Sequence, residues 1–189
     1  MKDIYDAKKT LTVLSYLLEQ FDGKLSCQKL FSLLYLVDRE SLLRYGETMT
    51  GDTWLLTKDG VLFETTYQML RKIGAGWEMW LPFLEKEGKK YYDSVVVLRR
   101  GIDSSELSRA DRAILDEVVS LHGEETEATL INVINTLPEC KGALVENSKV
   151  RLKAEKILKA NGLAKCINNY RENIKVKEEL ACLASVLGN

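Results

Sequence analysis

Apolar residues crowd one stretch of the chain. From Leu30 to Val37 the order is Leu-Phe-Ser-Leu-Leu-Tyr-Leu-Val, so a helix here has almost no polar side. Such a helix packs against several neighbours instead of lying on a surface. Ser26 is placed to cap its start, because a serine hydroxyl accepts a bond from an orphan backbone N–H. Gly46 supplies the left-handed residue that ends it, and Leu42, Leu43 and Tyr45 carry burial that far. Thr50-Gly51-Asp52 then reads as a turn, residues 53–57 as a short strand and Lys58-Asp59-Gly60 as a second turn. Residues 62–73 predict a return helix.

Elsewhere the helical period dominates. Residues 3–21 place Ile4, Leu11, Leu14, Leu17, Leu18 and Phe21 near one side of a first helix. Residues 77–84 are aromatic-rich, residues 86–90 form a polar turn, and Tyr91-Tyr92 lead into the β-branched run 94–98. This predicts a hairpin that joins strand 53–57 in a small antiparallel sheet. Ser108 and Asp111 have the spacing of a capping box, and Gly123 ends the helix they begin. Thr126 caps the next helix, which Pro138 stops. Residues 148–160 predict a basic amphipathic helix and residues 163–187 a longer last one. The expected fold class is mainly α, with about seven helices. A compact helical domain surrounds a buried central helix and a small antiparallel β-sheet. Residues 1–147 form this domain, and residues 148–189 are a helical C-terminal extension packed on it.

The order of motifs resembles the Panacea (SocA-like) antitoxin domain of bacteria and their phages. Lys29-Leu30, Leu33-Leu34-Tyr35, Asp38, Tyr45-Gly46, Thr50-Gly51-Asp52, Gly60-Val61 and Tyr67 stand in the roles of that family's motifs. The chain departs from the pattern in three places. Gly60-Val61 lacks the usual proline, Phe31-Ser32 stands where Lys-Leu is often repeated, and the downstream His and Trp are replaced by Leu137-Pro138-Glu139-Cys140. The resemblance covers about the first three quarters of the chain.

Composition excludes several classes. The charged fraction is 29% and the net charge −1, so there is no global signature of nucleic-acid binding. No apolar run is long enough to span a bilayer, and the first residues lack the core of a signal peptide. Cys27, Cys140, Cys166 and Cys182 form no Cys-x-x-Cys pair and read as buried thiols of a reducing cytoplasm. The single histidine, His122, sits in the last turn of a helix, where a cation suits the dipole. No metal site, cofactor fingerprint or catalytic motif is expected. Glu124-Glu125 and Glu178-Glu179 are adjacent on helices and do not face one another, so they are solvated rather than acid–base pairs. The chain is therefore expected not to be an enzyme.

Asp38 is out of place. It lies one turn from Leu34 and from Leu42, on an apolar side, where an unpaired carboxylate is costly. It must reach a cation, backbone N–H groups or water, and Arg71 and Lys72 are the candidate cations. It is read as a structural polar residue. For the aromatics two readings stand, packing in the core and exposed anchoring of another protein. Residues 149–179 hold nine Lys/Arg and four Glu, a net +5 that leaves −6 for the remainder. The candidate partner-binding residues are Trp77, Tyr91, Tyr92, Arg99, Lys153 and Lys156.

The resemblance implies an antitoxin of a bacterial or phage toxin–antitoxin system. It would neutralise a cognate toxin by direct protein binding, and within the family a domain of this kind also serves as an adaptor to a protease. The alternative from another class is a nucleic-acid-binding regulator using the basic C-terminal helices.

Overall fold

The computed structural model describes residues 4–143 and 149–187, with side chains to residue 183. In chain order the elements are α1 (Ala7–Glu19), β1 (Lys24–Ser26), α2 (Cys27–Tyr45), β2 (Trp54–Thr57), β3 (Gly60–Phe63) and α3 (Glu64–Leu70). There follow β4 (Leu84–Glu87), β5 (Val95–Leu98), α4 (Arg109–His122), α5 (Glu127–Thr136), β6 (Val150–Leu152), α6 (Ala154–Ala160) and α7 (Ile167–Leu187). The fold is mainly α.

Local chemistry sets the ends of α2. The Ser26 hydroxyl accepts from the Lys29 N–H at 3.2 Å, and Gly46 turns the chain with φ of 72°. Between them Leu30, Phe31, Leu33, Leu34, Tyr35 and Val37 are fully buried. The helix touches α1, α4, α5, α6 and β3, which is why so few of its positions are polar. Each Leu or Phe withdrawn from water here contributes about 1.5–3 kcal/mol. The ends of α4 and α5 follow the same logic. Ser108 and Asp111 cap each other's backbone N–H groups, and Thr126 accepts from the Thr129 N–H.

The strands depart from expectation. Residues 62–73 are not one helix. Val61 and Phe63 alternate inward from β3 opposite Leu56 and Trp54, and α3 starts only at Glu64. Val150 and Leu152 belong to β6, an antiparallel partner of β2, and not to a helix from residue 148. Ser148 itself lies outside the described residues. Leu152 opposes Trp54 and Val150 opposes Leu56, so the apolar pattern there has period two. Two three-stranded sheets result, in orders β1-β5-β4 and β3-β2-β6, where one was expected. The hairpin β4–β5 forms, but it joins β1 and not β2. Tyr91–Asp93 is a short 3₁₀ turn and not part of a strand, held by the Asp93 carboxylate on the Lys90 N–H at 3.0 Å.

Candidate functional site

Asp38 is fully buried and faces the turn that follows α2. Its Oδ1 accepts from the backbone N–H groups of Met49 and Thr50 at 2.9 and 3.0 Å. Its Oδ2 accepts from the Thr50 hydroxyl at 2.5 Å and the Trp54 indole N–H at 3.1 Å. Among the described residues no cation takes part. Arg71 lies over the Tyr67 ring instead, 5.6 Å from its centroid, and Lys72 is exposed at the end of α3. Arg71 and Lys72 are therefore not the counterions of Asp38. Burial pushes the Asp38 carboxyl up to about 6, and the four donors oppose that rise.

The rest of the turn is equally occupied. Asp52 Oδ1 accepts from the Thr53 and Thr65 N–H groups, and its Oδ2 accepts from that of Thr66 at 2.7 Å. A carboxylate from the turn thus satisfies donors in the first turn of α3, as a capping residue would. Gly51, with φ of 66°, lies against the chain entering α1. A Cβ there would stand 1.8 Å from the Ile4 carbonyl oxygen. The Thr50 carbonyl accepts from the Asp6 N–H at 3.0 Å.

A second buried network lies nearby. Glu139, also fully buried, accepts from Arg39 Nε at 2.6 Å, from the Tyr35 hydroxyl at 3.1 Å and from Asn161 Nδ2 at 3.0 Å. Burial alone would raise the Glu139 carboxyl, but the Arg39 guanidinium and the other donors hold it below its ordinary value. Asn161, at the end of α6, also accepts from Arg39 at 2.8 Å. The network therefore ties α2 to the segments after α5 and α6.

The candidate surface residues separate into groups. Tyr91 lies inside an aromatic cluster with Phe31 and Tyr67, at ring separations of 5.8 and 5.6 Å, and its hydroxyl donates to the Val61 carbonyl at 2.8 Å. That arrangement spends its ring and its hydroxyl internally, and burial raises its phenol well above the usual range. Tyr92 is exposed, with the Lys90 ammonium 5.5 Å from its ring centroid. Trp77 is half-buried. Arg99 is exposed and paired with Glu85. Lys153 and Lys156 are exposed on the other side of β2, at the start of α6. Between α3 and β4 the chain exposes Ile73, Met79 and Leu81, three large apolar side chains within nine residues.

A family model for the antitoxin SocA-like, Panacea domain matches residues 30–141. The chain belongs to the Panacea family. No curated protein and no solved structure matches it.

The Panacea match begins inside α2 and takes in the Asp38 turn, both sheets except β1 and β6, and Glu139. Within it, the motif residues Asp38, Thr50, Gly51 and Asp52 form one buried junction. Trp54, Arg39 and Glu139 join these networks although the residue pattern points only to Asp38; for Arg39 the sign in the sequence is an Asp-Arg pair inside an apolar helix. The described residues contain no cluster of metal-binding side chains, and no helix among them is long and apolar enough to cross a membrane. In the basic segment Arg151 pairs with Glu64, Arg171 with Glu155, Lys175 with Glu179 and Lys177 with Glu47. Four of its cations are thus met by carboxylates.

Proposed function

We propose that this Panacea-domain protein is an antitoxin that neutralises a cognate toxin by stoichiometric protein binding, without catalysis. The family match over residues 30–141 carries this reading. The buried junction around Asp38 serves it as a scaffold, since its polar atoms are consumed by internal bonds. The recognition face is assigned to the surface between α3 and β4, with Ile73, Met79, Leu81 and Arg99. Exposed apolar residues beside a cation are what an interface core and its rim require. Delivery of the bound toxin to a protease fits the same mode of action. The paired cations of residues 149–179 give little support to a phosphate-backbone partner.

The test is co-expression with the product of an adjacent reading frame. Rescue from growth arrest, with a one-to-one complex of the purified proteins, is the expected result. If no neighbouring product is toxic, or if rescue occurs without association, the reading fails.

A further inference from the structure

The outer side of α7 is apolar and, among the described residues, uncovered. Ile167, Tyr170 and Ile174 are buried and seat the helix on the rest of the domain. At about 100° per residue, Val176, Leu180 and Leu183 come round to the far side. They are 52%, 59% and 57% exposed. Exposed apolar residues scattered singly are ordinary, whereas a row of three on one helix face marks a contact surface.

The spacing is that of a coiled-coil seam. Steps of three, four and three join Asn173, Val176, Leu180 and Leu183, which is the alternation of a and d positions in a heptad. Asn173, also exposed, takes an a position, where one asparagine fixes the register of a two-stranded pair. The flanking charges discriminate between directions. Glu172 and Glu179 take g positions, and Lys177 takes an e position. In a parallel pair the g residue of one helix meets the following e residue of the other, so Glu172 faces Lys177 of a second copy, twice by symmetry. In an antiparallel pair g faces g, which sets glutamates against glutamates. Lys177 is paired with Glu47 at 2.8 Å, but both side chains are partly exposed, and an ammonium has three donors to share.

We infer that two copies of this chain associate through α7, parallel and in register, with Asn173, Val176, Leu180 and Leu183 at the seam. A second copy accounts for the spacing, the asparagine and the flanking charges together. An unrelated apolar partner accounts for the exposure alone. The seam is short, but α7 is already folded on the domain, so pairing carries no cost of helix nucleation. α7 lies outside residues 30–141, and the inference does not depend on the antitoxin reading.

The test is sedimentation equilibrium of the full chain between about 5 and 500 µM, a range that brackets a weak dimer. A concentration-dependent dimer is expected. V176E/L183E, altered at exposed positions, should keep the wild-type melting temperature and weaken association by about tenfold or more, as charges buried in a seam do. Direction is read by cross-linking. In a C166S/C182S background only the buried Cys27 and Cys140 remain, and an added L183C should form a disulfide between copies on oxidation. Equivalent d positions meet only in a parallel, in-register pair. E172K and K177E should each associate more weakly than wild type. Their equimolar mixture should pair about threefold more tightly, or better, than either alone, because every g–e contact then joins opposite charges. A monomer at every concentration overturns the inference. So does a dimer that V176E/L183E leaves intact, which places the contact elsewhere, or one that L183C fails to cross-link, which excludes the parallel register. A monomeric wild type whose V176E/L183E variant loses growth rescue also overturns it, and gives this face to the toxin.

Discussion

The Trp54 indole N–H meets the Asp38 carboxylate at 3.1 Å in a site sealed from water. Trp54 stands at the start of β2 and Asp38 in the middle of α2, so this bond fixes the first strand of a sheet to the helix beneath it. Three more donors from Met49 and Thr50 complete the shell. The charge is solvated by backbone and side-chain dipoles in place of a counterion.

Replacing Asp38 by Ala strands all four donors. The expected loss is about 3–5 kcal/mol, the scale for breaking a buried charged network. Asp38→Asn keeps one acceptor oxygen and should lose less. Urea melts of both variants measure this. A change within about ±0.5 kcal/mol for the alanine variant, typical of exposed sites, would contradict the buried placement.

The two buried carboxylates should respond oppositely to pH. Asp38 is raised from 3.8 to about 6, so the folded state keeps a proton that the unfolded state releases. Its contribution to stability is greatest below its unfolded value and declines as pH rises through about 6. A shift of about two units corresponds to roughly 3 kcal/mol. Glu139 is lowered, so its contribution is present above its ordinary value and is lost as pH falls through the folded one. Melts between about pH 3 and pH 7 should show the stability gap between wild type and D38N changing over about pH 4–6, and the gap for E139Q changing in the opposite sense only towards the acidic end. Parallel curves for D38N and wild type would exclude titration of Asp38 in that range.

The readable parts of this fold are those set by neighbours in sequence. Ser26, Gly46, Ser108 with Asp111, and Thr126 act within a few residues, and their chemistry is visible in the order of residues alone. Non-local pairing is not. Val150–Leu152 becomes a strand because β2 offers an edge far back in the chain, and its three residues carry too little period to announce it. Glu139 and Arg39 are 100 residues apart, so their pairing left no local mark. Asp38 was marked as anomalous by its apolar flanks, but its partners are mostly backbone groups, which every residue carries.

Gly51 should tolerate no side chain. Its φ of 66° disfavours other residues, and a Cβ would meet the Ile4 carbonyl. Gly51→Ala should cost about 1–3 kcal/mol from the backbone conformation alone. It should also detach the entry to α1. Hydrogen exchange at the Asp6 amide, bonded to Thr50, gives the readout. Unchanged protection there would show that the segment has room to shift.

The Arg39–Glu139 pair should behave as a unit. Glu139→Ala takes from the largely buried Arg39 its closer carboxylate, leaving Glu40 at 3.0 Å, and should cost about 3 kcal/mol. Replacing both by apolar residues, R39M with E139L, should recover much of that loss. A double-mutant cycle measures the coupling. Additive losses would mean that Tyr35 and Asn161, and not Arg39, carry the Glu139 interaction.

If the face between α3 and β4 recognises the toxin, folding and binding should separate on mutation. Leu34 is fully buried within α2, so Leu34→Ala should cost about 2–5 kcal/mol and weaken every activity together. Met79, Leu81 and Arg99 are largely exposed, and truncation to Ala should leave the melting temperature nearly unchanged. At least one of the three should nevertheless lose toxin affinity by about 2 kcal/mol, the scale of an interface hot spot. Trp77, Tyr92, Lys153 and Lys156, tested in parallel, locate the edge of the surface. The measurements are a binding titration with the purified toxin and growth rescue in cells expressing it. Because rescue tracks abundance as well as affinity, each variant is compared at matched soluble level. Should Lys153→Ala and Lys156→Ala abolish binding while Met79, Leu81 and Arg99 variants bind normally, the recognition face belongs to the start of α6. The apolar exposure beside β4 would then need another partner.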